Sequence, residues 1–325
     1  MITNPYWRRR FLLSLIIWSA ATQEVSSQVQ ITPPFSPVSL RSAADYLKEL
    51  NGHAMLVYHR DELVFEEYFN GWSADQPHRL ASGTKSFSGA MLAAAVEDGL
   101  LTIDEKAVDT IAEWKDDPRK SQVTIRQLLS LTSGIVPGST RETAPSYARS
   151  VAIASAKFWP GQRFQYGPIP YQIFGELMRR KLAPRNESVE AYMKRRILEP
   201  IGLKVSRWVK DVDGNVHLPN GMSLTAREWA KYGKFVLHQA KWDGRQIVPW
   251  NVFKECFVGS HANPNYGITF WLKEAGNAPN DLVFARGLGS QRLYLIPSLE
   301  LIIVQFAETE IFDDGRFLGR LLVNR

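Results

Sequence analysis

Cysteine is nearly missing from this chain. A single Cys256 in 325 residues excludes an intrachain disulfide framework and any zinc site built on paired cysteines. Its surroundings, VFKECFVG, hold no histidine, so a small buried side chain is expected there rather than a reactive thiol. The six histidines, at 53, 59, 78, 217, 238 and 261, show neither HExxH nor His-x-His spacing, and no metal is expected from them. Long apolar runs are lacking too. Beyond the N-terminal region no stretch approaches the ~18 apolar residues that a membrane-spanning helix needs. Clustered charge of one sign is also scarce. The net charge is +6, but the basic residues are scattered or confined to short runs such as 179–181 and 194–196. An apolar residue precedes each run at helical spacing and no aromatics interleave with them, so they read as solvated helix faces and not as a nucleic-acid surface. The stretch GLGSQ (287–291) is too poor in glycine for a phosphate loop. There is no internal repeat and no low-complexity linker.

What is present is an ordinary globular composition, 45% hydrophobic and 22% charged, on a chain long enough for a large core. The N-terminus stands apart. Arg8, Arg9 and Arg10 precede a short apolar run (11–18) and then small residues at 19–21, the layout of a secretory signal peptide. Cleavage is expected after Ala21 or Ser27, with an uncleaved anchor as the alternative. The string RRRFL approximates a twin-arginine signal, and no cysteine follows the run to carry a lipid. Residues 1–27 are therefore set aside as a signal peptide, and the mature chain is expected to be exported, with no membrane insertion after processing.

Apolar positions 40, 43, 44, 47 and 50 predict a helix over 39–50. HAMLVYHR and LVFEEYF predict an antiparallel hairpin, and residues 83–98 a small-residue helix ended by Gly99. TIRQLLSLTSGI (124–135) carries a capping box, Thr124 with Gln127, before a Thr-Ser-Gly turn. Further helices are expected at 171–182, 188–198 and 225–239. Strands are expected in YGITFWLK, LVFARGLG, SQRLYLIP and LELIIVQFA, and a closing helix near 312–323. Strands thus flank a helical middle. The expected architecture is an antiparallel sheet built from both chain ends, 28–80 and 262–325, with a helical domain inserted at 81–261.

One pair of residues suggests chemistry. Ser82 and Lys85 lie three apart where a loop enters a helix, close enough on one helix face for their side chains to meet. A serine hydroxyl needs an adjacent base to act as a nucleophile, and a lysine serves as that base only if burial or a neighbouring cation destabilises its ammonium. The residues around them (81, 83, 86, 88–90) are small, which suits close packing about a lysine stem. This is the single Ser-x-x-Lys of the chain. By spacing alone, Ser82 could equally be a helix cap followed by a surface lysine.

The wider context resembles the penicillin-recognising serine enzymes, in particular the class C β-lactamase-like branch with its esterases, amide hydrolases and D-peptidases. The likeness runs from about residue 50 to 310. It rests on LASGTKSFSGAMLAAAVEDGLLTIDEKA, VTIRQLLSLTSGI, FWPGQRFQYGPIPYQIFGELMRRKL, EAYMKRRILEPIGL and GMSLTAREWAKYGKFVL, landmarks in one order. The resemblance implies a β-lactamase/transpeptidase-like fold, Ser82 as nucleophile, Lys85 as base and Tyr166 as the tyrosine of the family's Tyr-x-Asn element. Tyr171 falls inside the next helix's apolar pattern and reads as core. Two departures bear on substrate. Pro168 stands where the family has the carboxamide. The Lys/His-Thr/Ser-Gly element falls on Ala285, Arg286 and Gly287, so the usual cation is missing and Arg286 is a shifted stand-in. Gly287 allows close backbone approach, and the Leu288 N–H can pair with that of Ser82 as an oxyanion hole.

The resulting expectation is an exported serine hydrolase working through an acyl-enzyme on a small carboxylic ester or amide, without a cofactor and without nucleic acid. A β-lactamase or D-amino-acid peptidase using Arg286, and a catalytically idle ligand-binding homologue, are the alternatives. Oligomeric state is left open.

Overall fold

The computed structural model describes residues 33–140, 142–273 and 278–322, and the signal-peptide expectation lies outside them. The described chain forms eleven strands: β1 (Gly52–His59), β2 (Glu62–Tyr68), β3 (His78–Arg79), β4 (Arg207–Trp208), β5 (Met222–Leu224), β6 (Lys241–Trp242), β7 (Arg245–Gln246), β8 (Trp271–Leu272), β9 (Val283–Gly287), β10 (Gln291–Ile296) and β11 (Leu301–Ala307). Its α-helices are α1 (Pro37–Glu49), α2 (Ser86–Glu97), α3 (Ile125–Leu129), α4 (Tyr147–Ile153), α5 (Ile169–Leu182), α6 (Val189–Met193), α7 (Ala226–Leu237), α8 (Trp250–Phe253) and α9 (Asp314–Leu321).

A six-stranded sheet runs in the order β2-β1-β11-β10-β9-β8, antiparallel at every pairing, and so joins the two chain ends as expected. The pleat sends alternate residues to opposite faces. Ala54 and Leu56 of β1 and Ile302, Val304 and Phe306 of β11 enter one core with α2, α5 and α7. Met55, Val57, Leu301 and Ile303 enter a second core with α1 and α9. Strand β11 is buried on both faces, which explains its nearly unbroken apolar run, LIIVQFA. Helix α7, drawn from the helical middle of the sequence, lies directly on the sheet. A Cβ at its Gly233 would come within 2.8 Å of Ile302.

Local signals are realised closely. Ser36 caps α1 and Thr124 caps α3, each as a reciprocal capping box. The β1–β2 hairpin turns through Arg60 and Asp61, both at positive φ, which matches the twist of a two-residue hairpin. Two expectations need correction. Of 266–273 only Trp271 and Leu272 pair as a strand. Residues 266–270 instead form a tight buried loop, because the backbone at Gly267 lies so near Cys256 that a Cβ would sit 2.1 Å from its carbonyl oxygen. The helix expected at 188–198 is regular only to Met193. Then it widens into a π-type turn closed by Glu199 N–H donating to the Lys194 carbonyl.

The basic runs are paired rather than free. Arg179 and Arg180 both bind the buried Glu176, Arg180 also binds Glu113, and Arg196 binds Glu97 and Asp98. Cys256 is buried and burial pushes its thiol up, as an inert side chain requires. No helix among the described residues is long and apolar enough to cross a membrane.

Candidate active site

The turn carrying Ser82 is fixed from three sides. Strand β3 pairs with β5, and the Leu80 N–H donates to the Met222 carbonyl. Ala81 follows at φ 47°, a left-handed conformation that a non-glycine residue holds only when its surroundings enforce it. Its carbonyl accepts from the Thr84 hydroxyl at 2.8 Å, and that hydroxyl in turn accepts from Met222 N–H at 3.2 Å. Residues Ala81–Lys85 form a 3₁₀ turn that runs straight into α2. Gly83 is needed beneath it, because a Cβ there would press to 2.8 Å on the Trp229 ring.

Lys85 is enclosed by this packing, only 2% exposed. Its Nζ donates to Ser82 Oγ at 3.0 Å and to the Pro219 carbonyl at 3.0 Å. Burial lowers its pKa from 10.5 to about 7. A neutral amine is then well populated at physiological pH, within reach of a hydroxyl proton. The surface-lysine alternative does not hold.

Tyr166 arrives on a loop anchored to the turn after α3. Gln165 N–H donates to the Leu131 carbonyl at 2.8 Å, and Gly161 N–H to the Thr132 carbonyl at 2.7 Å. Gly167 lets the chain pass Pro137, whose carbonyl oxygen would lie 2.4 Å from an added Cβ. The Tyr166 ring centroid lies 4.9 Å from Lys85 Nζ. Burial raises its pKa, and the Ser82 hydroxyl, the Arg286 charge and the Trp271 indole partly offset that rise. The resting phenol is therefore protonated, and Lys85 is the better proton acceptor of the two. Tyr171 is core: it is fully buried and its hydroxyl donates to the Leu129 carbonyl at 2.9 Å.

Strand β9 forms the opposite wall. At Gly287 a Cβ would lie 2.1 Å from the Leu80 carbonyl oxygen, so only glycine lets β9 run against the nucleophile turn. Ser82, Tyr166, Arg286, Gly287 and Leu288 all line one cleft of about 490 Å3. Ala285 shares the face of Gly287 but lies deeper, buried in the core with Leu293 and Val304, and does not line the cleft. Arg286 is exposed in the cleft with its guanidinium 5.8 Å from the Trp271 ring centroid. Pro168 does not line the cleft. It is buried at the N-cap of α5, where its carbonyl accepts from the Tyr171 and Gln172 amides.

Sequence reasoning missed Arg292 and Trp271, which also line the cleft. Arg292 pairs across the β9–β10 hairpin with Arg286, a position that counting outward from Gly289 would have found. It is buried, held by Asp314 at 2.6 and 3.1 Å, and donates to the Gly287 carbonyl at 3.2 Å, so it braces the wall while its charge is spent on Asp314. Among the described residues, Arg286 is left as the cleft's available cation. Trp271 was hidden inside an apolar run that reads as ordinary strand.

A buried lysine touching a serine at a strained turn, a tyrosine ring beside that lysine and a glycine strand edge opposite are the parts that a serine hydrolase of the Ser-x-x-Lys type needs. A family model described as Beta-lactamase matches residues 40–317, and the chain belongs to that family. It is 28% identical to an uncharacterised protein of Alkalihalophilus pseudofirmus over 238 residues, 67% of this chain and 68% of that one. Among solved structures it is similar to a protein from Bacillus anthracis assigned as a 6-aminohexanoate-dimer hydrolase, with TM-score 0.72, 20% identity, and 85% and 79% of the two chains covered. It is also similar to EstCE1, described as a hydrolase with promiscuous acyltransferase activity, with TM-score 0.70, 14% identity, and 87% and 97% covered. At those identities the structural likeness speaks for the fold alone. The expected β-lactamase/transpeptidase fold is the one found.

Proposed function

We propose that the chain is an exported serine hydrolase that opens small carboxylic esters or amides through an acyl-enzyme. The observation that carries this reading is the 3.0 Å contact between Ser82 Oγ and a lysine amine held by burial near neutrality. Neutral Lys85 takes the Ser82 proton as Oγ attacks the substrate carbonyl. The oxyanion is received by the backbone amides of Ser82 and Leu288. Tyr166 passes the proton to the departing alcohol or amine, and in the second half it helps Lys85 draw a proton from water, which attacks the acyl-Ser82 ester and frees the acid. An ester or small amide is preferred over a β-lactam because two acid- and amide-recognising positions are altered. Ala285 is turned into the core and Pro168 caps a helix, so neither offers a donor to the cleft. Each lost charge-assisted bond is worth about 1.5–3 kcal/mol, so ester turnover should exceed cephalosporin turnover by on the order of a thousandfold in kcat/KM.

The test is hydrolysis of short-chain p-nitrophenyl esters and labelling by a fluorophosphonate. Ser82→Ala should abolish both with the fold intact, and retention of most turnover would overturn the assignment. A second reading has one observation in its favour: Arg286 opens into the same cleft as Ser82 and could receive a substrate carboxylate. Efficient nitrocefin turnover that collapses in Arg286→Ala would make the protein a β-lactamase. Export rests on the N-terminal sequence, and mass spectrometry of secreted protein should find a mature start near Thr22 or Gln28.

A further inference from the structure

Outside the catalytic cleft, three side chains from distant parts of the chain converge. His53 is the second residue of β1, His78 lies on β3, and Glu308 follows the last residue of β11. The pairing of Gly52 with Ala307 brings the first and third together, and Glu308 N–H donates to the Asn51 carbonyl at 3.1 Å. Both imidazoles are buried, His53 stacked on Trp72 and His78 on Phe306. His53 Nδ1 faces His78 Nε2 at 3.0 Å. Glu308 Oε1 lies 4.0 Å from His78 Nε2, and all three ligand atoms fall within 4.8 Å of one another.

We propose that His53, His78 and Glu308 form a binding site for a divalent transition-metal ion, zinc by ligand type, that ties the strands beside the nucleophile turn together. Two imidazoles and a carboxylate are the borderline set that zinc accepts, with a fourth position left for water. The other nitrogen of His78 lies 3.2 Å from the Arg79 carbonyl, a contact it can make only as an N–H donor. That bond fixes the tautomer and leaves the Nε2 lone pair aimed at His53, the supporting arrangement that metal-binding histidines use. Without metal, His53 Nδ1–H donates to that lone pair; to bind an ion through Nδ1 the ring takes its Nε2–H tautomer and stays neutral, so no net proton is lost. Tetrahedral zinc at about 2.0–2.2 Å holds its ligand atoms roughly 3.4 Å apart. The two nitrogens therefore open by a few tenths of an ångström, and the carboxylate closes in by about 1.4 Å at most. Glu308 can make that move, since its side chain is 64% exposed. A cavity of about 380 Å3 lined by His78, Ala81, Leu288, Gly289 and Glu308 gives the route in and room for the fourth ligand. The chain pattern concealed this set because no two of its members are neighbours in sequence.

The experiment is titration of the chelator-stripped full-length protein with Zn2+ and with Co2+. Expected are one ion per chain, a rise in Tm with Zn2+, and the intense visible d–d absorption of tetrahedral Co2+. Glu308→Gln, a surface change that leaves the core untouched, should weaken Zn2+ by more than the ~10–100-fold that loss of a supporting partner brings. His53→Gln should abolish the Co2+ spectrum. His238→Ala removes an exposed imidazole 3.0 Å from Asp61, elsewhere on the molecule, and should change nothing. Failure of the native protein to bind either ion, or binding that survives Glu308→Gln and His53→Gln undiminished, overturns the proposal. Ester turnover at Ser82 is measured separately, so the two readings fail independently.

Discussion

Replacing Lys85 by methionine should separate the stability of this protein from its chemistry. Burial alone lowers the Lys85 pKa from 10.5 to about 7. A lowered pKa means that the folded chain holds the proton more weakly than the unfolded chain does. The group's stabilising contribution is therefore complete above about pH 10.5 and is lost as the pH falls toward 7. At ~1.4 kcal/mol for each pH unit, that window spans up to about 5 kcal/mol. Between pH 7 and pH 9.5 the native protein should gain about 3 kcal/mol relative to Lys85→Met, in which nothing titrates at this site. At pH 7 the variant escapes up to about 4 kcal/mol of that penalty, which offsets the ~1–3 kcal/mol for leaving the Pro219 carbonyl unpaired. It should be at least as stable as the native protein, and inactive. Urea unfolding of both proteins at the two pH values measures this, and differencing the pair removes every other titrating group. Parallel stability curves, or a variant that is much less stable at pH 7, would refute the claim that Lys85 sits buried with a depressed pKa.

The same group sets the pH dependence of activity: kcat/KM for a p-nitrophenyl ester should climb with pH to a plateau with a midpoint near 7, about tenfold per pH unit below it, because Lys85 must be neutral to accept the Ser82 proton. A midpoint near 10 would mean an ordinary solvated lysine. Gly287→Ala should lose most turnover and about 1–3 kcal/mol or more of stability in thermal unfolding, since its methyl would meet the Leu80 carbonyl at 2.1 Å. Asp314→Asn leaves the Arg292 guanidinium, 3% exposed, without its counter-charge and should cost about 3–5 kcal/mol in urea unfolding, with the β9 wall loosened.

Most of the fold was legible because its signals are local. The capping box at Thr124, the β1–β2 hairpin (read with its turn at Asp61-Glu62 and found one residue earlier, at Arg60-Asp61) and the apolar period of α7 each depend on residues a few positions apart. Legibility failed where the burial of one segment depended on another. The apolar pattern of 266–273 is compatible with a strand, and only the proximity of Cys256 to Gly267 turns most of it into a loop. At the site, Ser82, Lys85 and Tyr166 could be named from motifs, whereas Trp271 and Arg292 could not. Their place in the cleft follows from strand pairing across a hairpin, not from any spacing along the chain.

The sequence by itself singled out Ser82, Lys85 and Tyr166 as the candidate nucleophile, base and tyrosine, showed that the sheet draws on both chain ends, and excluded an intrachain disulfide at Cys256. These are statements about residue type and short-range pattern, which the backbone geometry of helices and strands converts directly into structure. Tertiary structure alone decided the rest. It buried Lys85 deeply enough to lower its pKa, turned Ala285 into the core while leaving Arg286 in the cleft, spent the charge of Arg292 on Asp314, and set two imidazoles and a carboxylate side by side from β1, β3 and the residue after β11. Each of these depends on what surrounds a group in space. Solvation, counter-charge and direction across a pleat are properties of packed neighbours, and those neighbours lie up to 255 positions away along the chain, as Glu308 does from His53.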